Sequence, residues 1–377
     1  MKKSRIIVEG SEAYINEYSP TEIVNKSLFG SNMGNMLFYG SVYNAVVSNK
    51  DNYVTSDISE KSIENADYYL MPQANLFYKY FINKMEEYTY KLKKSSTPTI
   101  LVGVGYQSPV GRESIEKNEK LDNTVRSFVS EILNHSTSIG VRGRITKKYI
   151  LSLGFAESEV DIIGDPSIRF FGKKFITKSR AYKSFNTDMK IAVNYTPSRY
   201  HKNWGGFINS IFSKYSRSFA ILQDTYEFYP LLWKYQNMKL PKVPDEVKTY
   251  DLPISKDNSV NWKNRALFFT NAKQWFVSLE AFDFSIGTRI HGNIAAILAG
   301  TPALTIAIDT RTLELAEYLK IPYIKLADLN EETTLESLYV KATEEMPNFY
   351  ENYDNVLKDY LRFFEKNNVP INRDFFE

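Results

Sequence analysis

The chain has 377 residues and a mass of 43.6 kDa, more than one hydrophobic core usually serves, so two domains are expected. Its 47 basic and 44 acidic residues leave a formal charge of +3, which is too small to indicate a nucleic-acid-binding surface. There is no cysteine, which excludes a disulfide framework, a thiolate zinc site and a cysteine nucleophile. The three histidines are dispersed, so no metal site is expected.

The N-terminal segment MKKSRIIVEGSEAYI begins with basic residues but contains only a short apolar run, Ile6 to Val8. This run is too short for the core of a signal peptide. No stretch approaches the roughly 18 apolar residues that a membrane-spanning helix needs. We therefore expect a cytoplasmic protein.

The first half of the chain alternates short apolar runs with longer helical patterns. Strands are predicted, in chain order, at residues 6–9, 68–71, 100–104, 138–141 and 160–163. Helices are predicted between them at residues 37–47, 76–92, 121–134 and 145–153. This alternation indicates an α/β domain with a mostly parallel sheet, which we assign to residues 1–175.

A second alternating series follows a predicted linker at residues 172–188. Its strands are predicted at residues 190–195, 219–222, 282–286 and 303–308. Its helices are predicted at residues 204–214, 228–236, 271–279 and 294–298, with a Pro-rich loop at 238–257. The second domain is assigned to residues 189–330, and the aromatic helical tail at 331–377 is expected to pack back on the body. Two α/β domains leave a cleft in which a ligand site is expected.

The stretch FDFSIGTRIHGNIAAILAGTPALTIAID runs from Phe282 to Asp309 and contains one of the three histidines. Its strand-like start ends at Gly287, and ligands of open α/β sheets bind where strands end. The helix that follows offers unpaired N–H groups to an anion. Arg289 adds a guanidinium suited to carboxylate or phosphate, and His291 can transfer a proton near neutral pH. The pattern favours a site for an anionic ligand that must be protonated. The structural alternative is that His291 caps the helix and Arg289 pairs with a nearby carboxylate.

This stretch resembles the C-terminal signature of the polysaccharide pyruvyl transferases, an Arg-Leu-His step followed by a small-residue helix and a Gly-x-Pro turn. Ile290 stands in place of the leucine. SNMGNMLFYGSVYNAV is similar to the family's N-terminal Asn-x-Gly-Asp loop, with Asn35 where Asp is commoner. ILVGVGYQSP is similar to its Gly-rich segment, in which Gly103 and Gly105 could let the backbone approach a ligand.

Two further stretches extend the resemblance over about residues 30 to 325. SIGVRGRITKKYILSLGF and VDIIGDPSIRF resemble the family's Val-Arg-x-x-x-Ser/Thr helix and its Asp-Pro element. The matching positions are Arg142, Thr146, Asp165 and Pro166. All the matching stretches occur in the order that the family shows.

The resemblance implies a GT-B-like fold, with two Rossmann-like domains facing a central cleft. It also implies transfer of the carboxyvinyl unit of phosphoenolpyruvate onto two hydroxyls of a sugar, giving a pyruvate ketal of a capsule or exopolysaccharide. The N-terminal domain is expected to bind the acceptor and the C-terminal domain the donor. The expected partners are phosphoenolpyruvate and a sugar or lipid-linked glycan, without nucleic acid and without a cofactor. A lipid-linked acceptor would bring peripheral contact with the inner face of the membrane.

Site residues follow from the resemblance. Arg289, with the helix entry at Gly292 and Asn293, is expected to hold the phosphate or the carboxylate of the donor, and His291 to act as general acid. The second anionic group of the donor needs another cation. Arg199, in YTPSRYHKNW, is the candidate, and a solvated loop charge is the alternative.

Four residues of the first half complete the expected site, each with a structural alternative. Asn32 and Asn35 either hydrogen-bond acceptor hydroxyls or cap a helix. Asp165 either acts as a base toward the acceptor or forms a turn that ends a strand. Arg142 either reaches the cleft or pairs with an acidic neighbour on the surface.

Two other functions remain open because a fold does not fix a function. In a glycosyltransferase that uses a nucleotide sugar, Asp309 would bind the ribose and Arg289 the diphosphate. A non-catalytic protein that binds glycans would need neither a proton donor nor an anionic donor substrate.

Overall fold

The computed structural model describes most of the chain as α/β units. The described residues are 4–47, 52–108, 118–175, 182–194, 202–225, 227–228 and 265–377. Arg199, most of the predicted helix at 228–236 and the predicted loop at 238–257 lie outside them. In this described part, no helix is long and apolar enough to cross a membrane.

Within its described residues, the N-terminal unit contains seven strands, of which six form one parallel array. The strands are β1 (Ser4–Val8), β2 (Leu28–Ser31), β3 (Asn52–Thr55), β4 (Tyr68–Pro72), β5 (Thr99–Val102), β6 (Ile139–Val141) and β7 (Val160–Ile162). Four of them pair in the order β3-β1-β4-β5, and β6 pairs with β7. The two groups are joined past the end of β5, where Gly103 N donates to Gly140 O at 2.9 Å and Arg142 N donates to Val104 O at 2.9 Å.

The second unit is a six-stranded sheet in which every pairing is parallel. Its strands are β8 (Ile191–Asn194), β9 (Ser218–Leu222), β10 (Ala266–Phe268), β11 (Phe284–Gly287), β12 (Ala303–Ala307) and β13 (Tyr323–Lys325). The spatial order is β10-β9-β8-β11-β12-β13, so the first and fourth strands of the unit are neighbours. This is the strand order of the Rossmann fold, and the position between β8 and β11 is its topological switch point.

Helices connect the strands of both units. In chain order they are α1 (Glu12–Ile15), α2 (Pro20–Asn25), α3 (Asn35–Val46), α4 (Glu60–Glu64), α5 (Ile82–Leu92), α6 (Glu119–His135), α7 (Arg144–Ser152), α8 (Lys202–Lys214), α9 (Ala272–Leu279), α10 (Ile290–Leu298), α11 (Thr310–Leu319), α12 (Leu335–Lys366) and α13 (Arg373–Phe376). Strands β5, β8, β11 and β12 are buried at every position. Parallel strands covered on both faces require such continuous apolar sequences.

The two units share one hydrophobic cluster. Met33 and Leu37, at the start of the first unit's α3 region, belong to the same buried cluster as Ile290 and Ile294 of α10. All nine residues of α10 are buried, which is typical of a helix inside the core. The prediction of an α/β fold with two Rossmann-like units facing each other is confirmed.

Several predicted boundaries were wrong. Helix α10 begins at Ile290 instead of residue 294, because its first turn carries polar residues whose partners lie elsewhere in the chain. The helix predicted at 76–92 begins at Ile82, after a 3-10 turn at Lys79–Phe81. The short strands β2, β3, β10 and β13 and the helix α11 were not predicted, since their apolar runs are brief.

The long helix α12 packs several of its aromatic side chains on the first unit. Tyr353, Tyr360 and Phe364 are buried, and the Tyr353 hydroxyl donates to Gly172 O at 2.8 Å. The fully buried Arg169 donates from Nε to Val356 O at 2.8 Å, and its guanidinium lies 4.8 Å from the centre of the Tyr360 ring. These aromatic residues therefore belong to the core rather than to an exposed surface.

A buried carboxylate joins α11 to α7 across the two units. Glu314 is 2% exposed. It accepts hydrogen bonds from Thr146 N at 2.9 Å and from Thr146 Oγ1 at 2.5 Å, so it caps the first turn of α7. Burial raises the pKa of Glu314 from its ordinary value of 4.5 to about 7, against the opposing effects of the Thr146 hydrogen bonds and the Arg142 charge.

We expect this carboxyl group to make the protein less stable as the pH rises from about 4.5 to about 7, because the folded state keeps a proton that the unfolded chain releases. The full effect is about 3 kcal/mol of unfolding free energy. Glu314→Gln should remove this part of the pH dependence, measured by urea unfolding between pH 5 and pH 8. Glu344→Gln, at an exposed position of α12, should keep it. An unchanged slope in Glu314→Gln would contradict the assignment.

Candidate active site

A pocket of about 250 Å³ lies where the carboxyl ends of the two sheets meet. Its walls come from both units. The lining residues are Asn32, Asn35, Ala74, Asn75, Arg142, Gln223, Thr288, Arg289, Ile290, His291, Ile308, Asp309, Arg311 and Thr312. The pocket thus contains the switch-point loop after β11, which the topology marks as a ligand-binding position.

The Asp165 carboxylate lies beneath this pocket and connects the two units. It is fully buried. Arg142 Nη2 donates to Asp165 Oδ2 at 2.6 Å, and His291 Nε2 lies 3.3 Å from the same oxygen. The other oxygen accepts from Ser167 N at 2.9 Å and also from the Ser167 hydroxyl. Asp165 and Arg142 come from the first unit and His291 from the second, so one carboxylate orients the histidine across the boundary.

The electrostatics of this cluster keep the carboxyl group ionised. Burial by itself would raise the pKa of Asp165, but the Arg142 charge, followed by His291 and the Ser167 hydroxyl, holds the pKa well below its usual range. A carboxylate that is fully buried and has both oxygens occupied is a weak base. The geometry therefore favours an orienting role for Asp165 over the expected role as base toward the acceptor.

The other side of the His291 ring faces the N-terminal loop. A Cβ atom added to Gly34 would lie 2.6 Å from His291 Nδ1, so only a glycine lets the ring approach this closely. Gly34 lies between Asn32, whose Oδ1 accepts from Gly34 N at 2.8 Å, and Asn35, whose Nδ2 donates to Phe29 O at 2.9 Å. Both asparagines line the pocket. The structure thus places the expected acceptor loop against the expected general acid.

Arginine side chains on the pocket wall are each held by a carboxylate. Arg289 donates from Nη1 to Asp224 Oδ1 at 2.8 Å and from Nη2 to Asp224 Oδ2, a bidentate pair that fixes the guanidinium plane. Arg311 donates from Nη2 to Asp309 Oδ2 at 2.5 Å. Together with Arg142 on Asp165, three cations are positioned in advance around the pocket.

Asp309, which would bind the ribose in the nucleotide-sugar alternative, already has hydrogen-bond partners within the protein. Asp309 caps α11 by accepting from Thr312 N at 2.9 Å, and its second oxygen accepts from Arg311. Burial would raise the pKa of Asp309, but Arg311 and Thr312 lower it. This arrangement weighs against a role for Asp309 in binding a ribose.

Not every predicted site residue reaches the pocket. Asn293 is fully buried and accepts from Asn194 Nδ2 at 2.8 Å and Ser285 Oγ at 3.0 Å, while its own amide donates to Gly287 O at 3.0 Å. It joins α10 to the strands below. Gly292 faces the side chain of Asn194.

The glycines after β5 make room for protein atoms. Cβ atoms at Gly103 and Gly105 would lie 2.8 Å from Pro166 and 2.9 Å from Arg142. The expected approach of a ligand to this backbone is replaced by close packing of the Asp165 loop and Arg142.

Sequence reasoning missed Asp224, Arg311 and Gln223. Asp224 lies 65 residues from its partner Arg289, so no local pattern connects them. The position of Arg311 just after a strand and at a helix entry was the one available signal.

A larger cavity, of about 840 Å³, lies between β7, α7, α11 and α12. Four of its charged residues form two ion pairs, Lys366 with Asp161 at 2.8 Å and Arg362 with Asp359 at 3.6 Å. We place the candidate site in the smaller pocket because that pocket combines a histidine with arginines at strand ends. Within the described residues, no group of three or more His, Asp or Glu could hold a metal ion.

The family model of the polysaccharide pyruvyl transferases matches residues 32–310. The chain belongs to this family. The match includes Asn32, Asp165, Arg289 and His291, so the pocket and the carboxylate beneath it fall largely within the family region. The chain is thus a transferase by family. A comparison with curated proteins found no match.

Similar solved structures cover most of the chain at low identity. An uncharacterized protein from Klebsiella pneumoniae is 13% identical, with 79% of this chain and 92% of that chain covered and a TM-score of 0.40. Anabaena HepE in complex with UDP and glucose is 10% identical, with 98% and 97% covered and a TM-score of 0.47. The UDP-GlcNAc 2-epimerase of Methanocaldococcus jannaschii is 13% identical, with 92% and 93% covered and a TM-score of 0.42.

Gly34→Ala tests whether Gly34 sets the position of the His291 ring. The backbone at Gly34 (φ −58°, ψ −28°) accepts alanine, but the new methyl group must displace the ring. With three histidines in the chain, imidazole NMR signals can be assigned by substitution. We expect the His291 signals to move and those of His135, on α6, to stay. Gly206→Ala, in α8 with nothing within 4 Å, should move neither. Unchanged His291 signals in Gly34→Ala would contradict this packing.

Proposed function

We propose that the protein transfers the enolpyruvyl unit of phosphoenolpyruvate onto two hydroxyls of one sugar, forming a pyruvate ketal in the biosynthesis of a cell-surface polysaccharide such as a capsule or exopolysaccharide. The observation that carries the proposal is His291, oriented by the buried Asp165 and placed in a pocket with Arg142, Arg289 and Arg311. Such a pocket suits a donor that has two anionic groups and needs a proton. The family assignment supports the same reaction.

The donor would bind on the C-terminal side of the pocket. Arg289 at the entrance of α10 and Arg311 in the first turn of α11 both line the pocket, and guanidinium groups match carboxylate and phosphate geometry. Arg311 would supply the second cation that the donor needs. From the sequence this role was expected of Arg199, which lies outside the described residues. The donor's enol carbon would then face His291.

His291 would act as the general acid in both halves of the reaction. It first gives a proton to the methylene carbon, and the oxocarbenium-like carbon that results is attacked by the first sugar hydroxyl, whose proton returns to the imidazole. The C–O bond to phosphate then breaks as His291 protonates the leaving group. The second hydroxyl attacks and its proton restores the imidazole. The products are the ketal and inorganic phosphate, so protons balance without a further reactant.

Asp165 would serve this cycle as a positioning residue. Its contact with His291 Nε2 would fix the orientation of the ring, as the carboxylate of a catalytic triad does. Its pair with Arg142 prevents it from taking the proton itself, because the pKa of this carboxyl lies well below its usual range.

The acceptor would approach from the N-terminal side, where Asn32, Asn35 and Asn75 line the pocket. Amide side chains can both donate to and accept from sugar hydroxyls. The acceptor is a sugar or a lipid-linked glycan, and we propose a cytoplasmic enzyme that contacts the membrane only through such a lipid.

The test is phosphate release from phosphoenolpyruvate with a panel of free and lipid-linked sugars. We expect release that depends on the acceptor in the wild type, with kcat lowered at least 100-fold in His291→Ala by loss of the general acid. Arg289→Ala should raise the KM for phosphoenolpyruvate. His135→Ala, at the end of α6 and paired with Glu131 at 3.2 Å, should behave as the wild type.

Two results would overturn the proposal. Tight binding of a nucleotide sugar without binding of phosphoenolpyruvate would indicate a glycosyltransferase. Binding of a glycan that survives His291→Ala, with no phosphate release under any condition, would indicate a non-catalytic glycan-binding protein.

A further inference from the structure

Gln223 lies at the carboxyl end of β9, outside every motif considered above. Its backbone is fixed on both sides. The N–H donates to Glu227 Oε2 at 2.8 Å, and the carbonyl accepts from Met33 N at 2.8 Å. The backbone of Gln223 is therefore anchored to both units, and the residue lines the pocket.

The side-chain amide of Gln223 has no partner. The residue is 1% exposed, and within the described part of the chain neither Nε2 nor Oε1 makes a hydrogen bond. A buried amide without partners costs free energy. Such a group in a pocket wall indicates a ligand that supplies the missing partner.

The amide lies against the first turn of α10. A Cβ atom added to Gly292 would be 1.8 Å from Asn194 Oδ1 and 2.7 Å from Gln223 Nε2, so both amides lie close to the first turn of the helix. In the part of the chain that the structure describes, no side chain caps this helix, and no acidic residue occupies its first turn. Its N-terminal N–H groups and dipole favour an anion there.

We propose that Gln223 is a donor-binding residue, whose Nε2 donates a hydrogen bond to an anionic oxygen of phosphoenolpyruvate held at the first turn of α10. The inference rests on the proposed function for the identity of the donor. The acceptor of this hydrogen bond is an anionic oxygen, which either the phosphate or the carboxylate of the donor can supply. Gln223 would then explain how the donor is recognised on the side of the pocket opposite Asn32 and Asn35.

Two variants separate this role from a structural one. Gln223→Met keeps the length of the side chain and removes the amide, so the free protein should keep or raise its unfolding midpoint. Gln73 is the matched control, because it is also buried but donates to the Tyr88 hydroxyl at 3.1 Å. Gln73→Met should lower the midpoint and leave donor binding unchanged.

The experiment is calorimetric binding of phosphoenolpyruvate, inorganic phosphate and pyruvate to the full chain. Gln223→Met should weaken phosphoenolpyruvate binding by about 10- to 100-fold, as expected for loss of a hydrogen bond to a charged group. A parallel loss for phosphate alone assigns the bond to the phosphate, and a loss for pyruvate alone assigns it to the carboxylate. Gln223→Glu should weaken binding further, since it places a like charge beside the donor.

The inference would be overturned if Gln223→Met bound phosphoenolpyruvate as tightly as the wild type. It would also be overturned if the wild type bound none of the three probes. The proposed function fails by a different result. A wild type that binds phosphoenolpyruvate but releases no phosphate with any acceptor leaves Gln223 as an anion-binding residue and removes the transfer reaction.

Discussion

The buried carboxylate of Asp165 is the interaction on which the rest of the site depends. It holds Arg142 from its own unit and His291 from the other. An ionised group at this depth is stable only when it is paired and hydrogen-bonded, and here both oxygens are occupied. The position of the histidine therefore depends on the relative position of the two units, and any movement between them would change the geometry of the proposed proton transfer.

The pocket around this carboxylate is organised before a substrate arrives. Arg142, Arg289 and Arg311 each pair with an aspartate, so three positive charges meet three negative ones. Such pairs hold the guanidinium groups in fixed orientations, and fixed dipoles stabilise developing charge without a cost of reorganisation. The same pairing means that the proposed anionic donor would have to compete with carboxylates. Among the described residues, no side chain caps the entrance of α10, and the side-chain amide of Gln223 and the Oδ1 atom of Asn194 have no hydrogen-bond partner.

Several residues of this site could be predicted from the sequence, but the side chains that contact them could not. Arg289 and His291 could be predicted because a strand end, a helix entry and two chemically informative side chains lie within a few residues. Asp165 could be predicted from the family motif, although its distance of 126 residues from His291 hid the contact. Gln223 and Asp224 follow a strand with no motif around them, and their roles come only from tertiary packing. The role of Gly34 could not be predicted either, because it depends on the His291 ring, which comes from a distant part of the chain.

The fold was predicted from alternation of strands and helices, and the errors have a physical cause. The first turn of α10 carries Arg289, His291 and Asn293, whose polar side chains break the apolar period on which a predicted helix start depends. Their partners come from distant segments, so burial there could not be inferred locally.

The most direct test is a crystal structure of the protein with phosphoenolpyruvate and no acceptor. We expect the donor to lie at the first turn of α10, with one anionic group within hydrogen-bonding distance of Gln223 and the methylene carbon facing His291. A donor bound in the larger cavity between α7 and α12, or bound only to the N-terminal unit, would contradict it.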